Sequence, residues 1–200
     1  ESVEIVPRPK FTLVSPAESI YTSCSDSRIK ILIQSEDSIV LSSLVFVVDR
    51  ETLDLSDSRC YMQSDTFIIL PPYDGYSEGN VNIALVSGNT MLGYSIPPQS
   101  WVFTVDLTPP SIEFQTPQRW DMVTDPQFDV IVQLSDNLAG VDTSVISAYF
   151  IVHNDTFIAS SMNTESFGTG YRVSIHTPPQ ISAGDTVQFV LECCDLAQIC

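Results

Sequence analysis

The side chains of this 200-residue chain that could do chemistry are mostly carboxylates. Lys plus Arg number 8 and Asp plus Glu 25, a formal charge of −17. Such a field repels phosphate backbones and anionic lipid over about a Debye length, roughly 8 Å at physiological salt. Nucleic acid is therefore excluded as a partner. No run approaches the roughly 18 apolar residues of a membrane span, so direct membrane insertion is excluded as well. The same charge draws cations, and the oxygen-loving calcium ion is the first to consider. Catalysis finds less support. The two histidines, His153 and His176, have no serine in a G-x-S-x-G turn to serve, so no nucleophile, base and orienting acid can be assembled. A glycosidase-like carboxylate pair would need a cleft that turns of small modules do not form. No catalytic residue is assigned, and the chain is not expected to be an enzyme.

The five cysteines, Cys24, Cys60, Cys193, Cys194 and Cys200, lack the CxxC spacing of zinc ribbons or thioredoxin-like sites. Disulfides in an oxidising, extracellular compartment fit them better, with the odd thiol free or paired elsewhere. The chain opens on Glu1 without a signal-like segment, which points to an excerpt of a longer precursor. Tyr73 and Tyr76 flank the Asp74-Gly75 turn, and with Trp120 they could stack on sugar rings or on a protein.

These groups must be carried by strands. Short runs rich in Val, Ile, Phe and Tyr recur between turn clusters, at 11–14, 28–34, 44–49, 66–70, 80–86 and 101–106. The runs at 28–34 and 80–85 alternate apolar with polar or small residues, the period of a sheet with one face buried. Spacings near ten residues, with no long 3.6-residue stripe, predict an all-β sandwich with minimal helix.

An internal repeat near 100 residues sets the domain count. Ser15-Pro16 is echoed by Thr116-Pro117, and Ile31-Leu32-Ile33-Gln34 by Val130-Ile131-Val132-Gln133, an offset of 99. Leu44 to Val48 answers Ala148 to Val152, Glu51-Thr52-Leu53 answers Asp155-Thr156-Phe157, and Gly79 to Leu85 answers Gly184 to Leu191. Two modules are expected, at 1–106 and 107–200. Copy one closes with Trp101-Val102-Phe103-Thr104-Val105-Asp106, whereas Cys200 falls where the equivalent strand of copy two should begin. The second sandwich is thus expected to lack its last strand and to expose unpaired backbone at an edge. Pro109-Pro110 favours an extended, stiff join.

Trp101 to Pro110, with its W-x-F-x-V-D followed by T-P-P, resembles the end of the bacterial immunoglobulin-like tandem modules of secreted and surface proteins. Asp136-Asn137-Leu138-Ala139-Gly140-Val141-Asp142 is similar to their D-x-x-x-G-V-D segment, and Asp74-Gly75-Tyr76 to their D-G-x-Y turn. Copy one has Ser38-Ile39-Val40-Leu41 where copy two has G-V-D. The resemblance covers nearly the whole chain and implies two tandem immunoglobulin-like antiparallel β-sandwiches.

In such a sandwich the loops after the second and sixth strands share the pole where the chain enters. That gathers Asp106, Asp136, Asn137, Asp142 and Asp195 as a set that could supply calcium with six to eight oxygens. The same residue types also populate turns for backbone reasons alone. Cys194 and Cys200 could close a short loop, and Cys24 and Cys60 could join two loops of the first module, but pairing is not readable from sequence. The expected function is a non-enzymatic spacer or adhesive stalk at a cell surface. Its partners would be further modules of its parent protein, neighbouring copies, or a surface glycan or protein. The alternatives are a filament subunit whose open edge accepts a neighbour's strand, and a carbohydrate-binding accessory of a secreted hydrolase.

Overall fold

The computed structural model describes residues 8–200, so positions 1–7 of the first expected module lie outside the described residues. The chain divides into two compact units between Leu107 and Thr108. Both are built of β-sheets, antiparallel throughout except where Tyr21–Thr22 pairs parallel with Gln99–Val105, and among the described residues the regular helix is a single 3-10 turn, Leu41–Ser43. No described helix is long and apolar enough to cross a membrane.

The first unit runs β1 (Lys10–Ser15), β2 (Tyr21–Thr22), β3 (Ile29–Gln34), β4 (Val45–Val48), β5 (Glu51–Leu53), β6 (Cys60–Gln63), β7 (Thr66–Ile69), β8 (Gly79–Ser87) and β9 (Gln99–Val105). One sheet has the order β1-β3-β7-β6 and the other β2-β9-β8-β4-β5. Alternation decides which residues face inward: Ile29 and Ile31 of β3, Val81, Ile83 and Leu85 of β8, and Phe103 and Val105 of β9 are all essentially fully buried. Phe46 of β4 meets Phe67 of β7 across the two sheets, ring centroids 4.6 Å apart. Burying each such ring contributes on the order of 2–3 kcal/mol, the main force holding the layers together.

The second unit repeats the plan with β10 (Ser111–Thr116), β11 (Asp129–Ser135), β12 (Val141–Val152), β13 (Asp155–Ile158), β14 (Ser161–Phe167), β15 (Gly170–His176) and β16 (Val187–Asp195). Its sheets are β10-β11-β15-β14 and β13-β12-β16. Val130, Val132, Leu134, Phe150, Val173 and Ile175 form its centre. The counterpart of β9 is absent among the described residues, and β16 pairs with β12 alone.

The registers refine the repeat. Leu13 pairs with Ile31 just before a bulge in β1, and Phe114 pairs with Val132 just before the same bulge in β10. Ile31 therefore corresponds to Val132, an offset of 101, and not to Val130. The offset of 99 slips by two residues, one full strand period, so it leaves every side chain on its correct face.

Candidate functional site

Asp136 sits in the turn from β11 to β12, and Asp195 ends β16. Oδ1 of Asp136 accepts the backbone N–H groups of Leu138 (2.9 Å) and Gly140 (2.7 Å). Such a turn suits aspartate, whose short side chain reaches its own following backbone. Asp195 is fully buried, and its Oδ1 accepts the N–H of Ile199 at 2.8 Å. These two carboxylates each offer an oxygen within 4.8 Å of the other. Anionic oxygens this close repel unless a proton or a cation stands between them, so the pair can hold an oxygen-loving cation.

The other expected ligands are placed as follows. Asn137 is exposed in the turn of Asp136. Oδ1 of Asp142 takes the Ser144 hydroxyl (2.6 Å) and backbone N–H (2.9 Å), and these two bonds, the hydroxyl first, hold its carboxyl below the ordinary aspartate value. Asp106 follows β9 in the first unit, buried, with its N–H donating to the Thr22 carbonyl at 3.0 Å.

Cys194 and Cys200 form a disulfide around the turn that Asp195 opens. Cys24 and Cys60 do not pair; both are free thiols, as is Cys193. The physical reason is location and burial. Cys60 points inward from β6 into the hydrophobic core, whereas Cys24 is exposed in the loop after β2, a strand of the opposite sheet. Burial pushes the Cys60 thiol up to about 11 and raises that of Cys193 too, so neither is a nucleophile near neutral pH.

The three aromatics expected to form binding surfaces separate. Tyr73 is fully exposed and Trp120 is 83% exposed, but Tyr76 is buried at 6% and packs edge-on against Phe103 at 5.7 Å. Tyr76 is therefore a core residue and cannot stack on a ligand. Gly75 makes this so: at φ +78° it turns the chain back, and the Tyr76 N–H donates to the Ser25 carbonyl at 2.7 Å. Trp120 adopts φ +72°, a conformation costly for a bulky side chain, in a turn closed by the Gln118 N–H donating to Asp121 at 2.7 Å. Arg119 lies 5.0 Å from its ring centroid.

The histidines stand beside surface carboxylates. His153 stands on the β12–β13 turn, three-quarters exposed, with Nε2 3.7 Å from Asp185, and Nδ1 of His176 lies 2.8 Å from Asp129. What the sequence reading missed is burial: Asp195 and Tyr76 carry turn-like signatures, and only the fold carries them inward.

No protein-family model matches the chain, and no curated protein matches it. Among solved structures, a three-domain immunoglobulin segment of titin aligns with a TM-score of 0.52 at 12% identity, over 98% of this chain and 63% of that one. This chain thus spans less than two thirds of that segment. Fibronectin(III)-like modules of CbhA from Clostridium thermocellum align at 0.39 and 12% identity, over 92% of this chain and 86% of that one. A domain of intimin aligns at 0.39 and 14%, over 91% and 98%. At such identity the titin likeness shows the fold alone: the chain has an immunoglobulin-like tandem β-sandwich architecture.

Proposed function

We propose that these two units are non-catalytic modules of an extracellular or surface protein, of the bacterial immunoglobulin-like tandem type, that serve as a spacer or adhesive stalk. The observation that carries this reading is that each unit closes a hydrophobic core of its own within about a hundred residues. Modules built in this way can be strung in series, and each can resist extension separately. The Cys194–Cys200 disulfide supports an oxidising compartment, and exposed Tyr73 and Trp120 are the candidate adhesive contacts for glycan or protein. Pulling the chain from both ends tests the reading. Two separate rupture events are expected, each releasing about 300 Å of chain at roughly 3.4 Å per residue. Extension without resistance at either unit would overturn it.

Calcium is the second reading, and the Asp136–Asp195 pair favours it. Asn137 and Asp142 of the same unit are the proposed further oxygen donors. Titration calorimetry with calcium, at ionic strength matched by sodium chloride, should show binding that Asp136→Asn weakens at least tenfold. Identical traces for calcium and sodium would remove the ion from the account.

A further inference from the structure

The first unit keeps a polar atom where its core gains nothing from one. Tyr76 is 6% exposed, and its hydroxyl has no hydrogen-bond partner among the described residues. Phenylalanine would fill the same space without the cost of an unpaired buried hydroxyl. A buried polar group left in this state calls for a reason, and the space beside it supplies one.

Tyr76 lines a cavity at the side of the sandwich where β5 and β6 are the last strands of their sheets. Leu53 of β5, Ile69 of β7 and Pro72 form apolar walls, and Asp49, Glu51 and Arg59 supply the charged lining. Those charges are already engaged. Arg59 pairs with Glu51 at 2.8 Å and with Asp57 at 3.4 Å, and Oδ1 of Asp49 accepts the Asn82 N–H at 2.9 Å. A charged guest would have to break these contacts or be stripped of water against the apolar walls, so the guest is neutral. Size limits it further, because the cavity measures about 80 Å³. At roughly 30 Å³ each, the share of one water molecule in the liquid, that is room for about three non-hydrogen atoms. An acetyl group matches on each count: its methyl meets the walls, and its carbonyl oxygen accepts the hydrogen bond that the Tyr76 hydroxyl has to donate.

We propose that this cavity is the specificity pocket of a glycan site in the first unit and takes the acetyl group of an N-acetylated sugar. The proposal rests on the adhesive reading above and names its ligand class. Two neighbouring features favour a sugar as the carrier of the acetyl group. The Arg59–Glu51 pair presents N–H donors beside carboxylate acceptors, the complement of adjacent ring hydroxyls. Tyr73 directly follows Pro72 of the wall in the chain and is fully exposed, an aromatic face on which a sugar ring can stack. Binding gives the Tyr76 hydroxyl its partner, so the group that weakens the free protein is the one that selects the ligand.

The test uses the whole 200-residue chain. Chitotriose and N-acetylgalactosamine are the probes, with cellotriose and galactose, which carry hydroxyls in place of the acetamido groups, as controls. In methyl NMR spectra, the Leu53 and Ile69 resonances should shift with at least one probe and with neither control. Tyr76→Phe should weaken that binding at least tenfold while circular dichroism stays unchanged. Tyr73→Ala changes a fully exposed residue and should weaken it at least threefold. No shift with either probe, equal shifts with probe and control, or binding that survives Tyr76→Phe would each overturn the proposal. So would Nε-acetyl-lysine binding as tightly as the better sugar, which would make an acetylated protein the partner. The force experiment is blind to this pocket, so the module reading can stand if the proposal falls.

Discussion

At the scale of single residues, burial outweighs chemical type. Cys60 and Cys24 are both thiols, yet one faces the core and the other solvent. A disulfide-exchange reagent at pH 8 should therefore label one thiol, Cys24, in the native protein and all three free thiols after unfolding; rapid native labelling of Cys60 or Cys193 would contradict their burial. Tyr76 offers a second case. Its ring fills the core, but its buried hydroxyl has no hydrogen-bond partner among the described residues, and its phenol is raised above the ordinary 10.0, first by that burial. Tyr76→Phe keeps the ring, removes the uncompensated hydroxyl, and should stabilise the first unit by about 1 kcal/mol in urea unfolding. The aromatic was legible in the sequence as a Tyr after an Asp-Gly turn. Its direction was not, because a glycine at positive φ can send the next side chain either way until the neighbouring loop fixes it.

Elements carry the second kind of constraint, close approach. Gly170 begins β15 where the strand passes the Leu134 carbonyl oxygen, and a Cβ there would stand well inside van der Waals contact with that backbone atom. Backbone cannot yield as a side-chain tip can, so Gly170→Ala should cost the second unit about 3 kcal/mol, read as a lowered midpoint for that unit. The Cys194–Cys200 loop is short, and chain entropy assigns such a closure about 2 kcal/mol. The double variant Cys194→Ser, Cys200→Ser should lose about that much, and reductant should then have no further effect. Strand positions at 28–34 and 80–86 were readable from alternation, because a half-buried sheet imposes period two on its residues. The edge strands β6 and β14 were not, because their residues answer to one neighbour and carry weaker patterns.

The whole molecule is governed by its charge of −17 on 200 residues. Self-repulsion at this level opposes the compact state and is screened by salt. Raising sodium chloride from about 0.02 to 0.15 M should therefore raise the urea midpoint of unfolding, whereas a lower midpoint would mean that the surface ion pairs, such as Arg59–Glu51 at 2.8 Å, outweigh the repulsion. Such pairs are worth at most about 1 kcal/mol each at the surface, so the net charge should win.

By itself the sequence determined the all-β fold class and the tandem recurrence of its apolar pattern. Those properties reside in the period of apolar residues and in recurrence along the chain, which the linear order preserves. It also carried the acidic residues of the candidate cation site as types. Only the tertiary structure decided that Asp195 is fully buried, that Tyr76 turns inward, that Cys24 and Cys60 stay apart, and that Phe114 meets Phe189. Each of these depends on which strands lie side by side and which turn sends a side chain inward. Spacing along the chain does not encode such pairings between residues far apart in sequence.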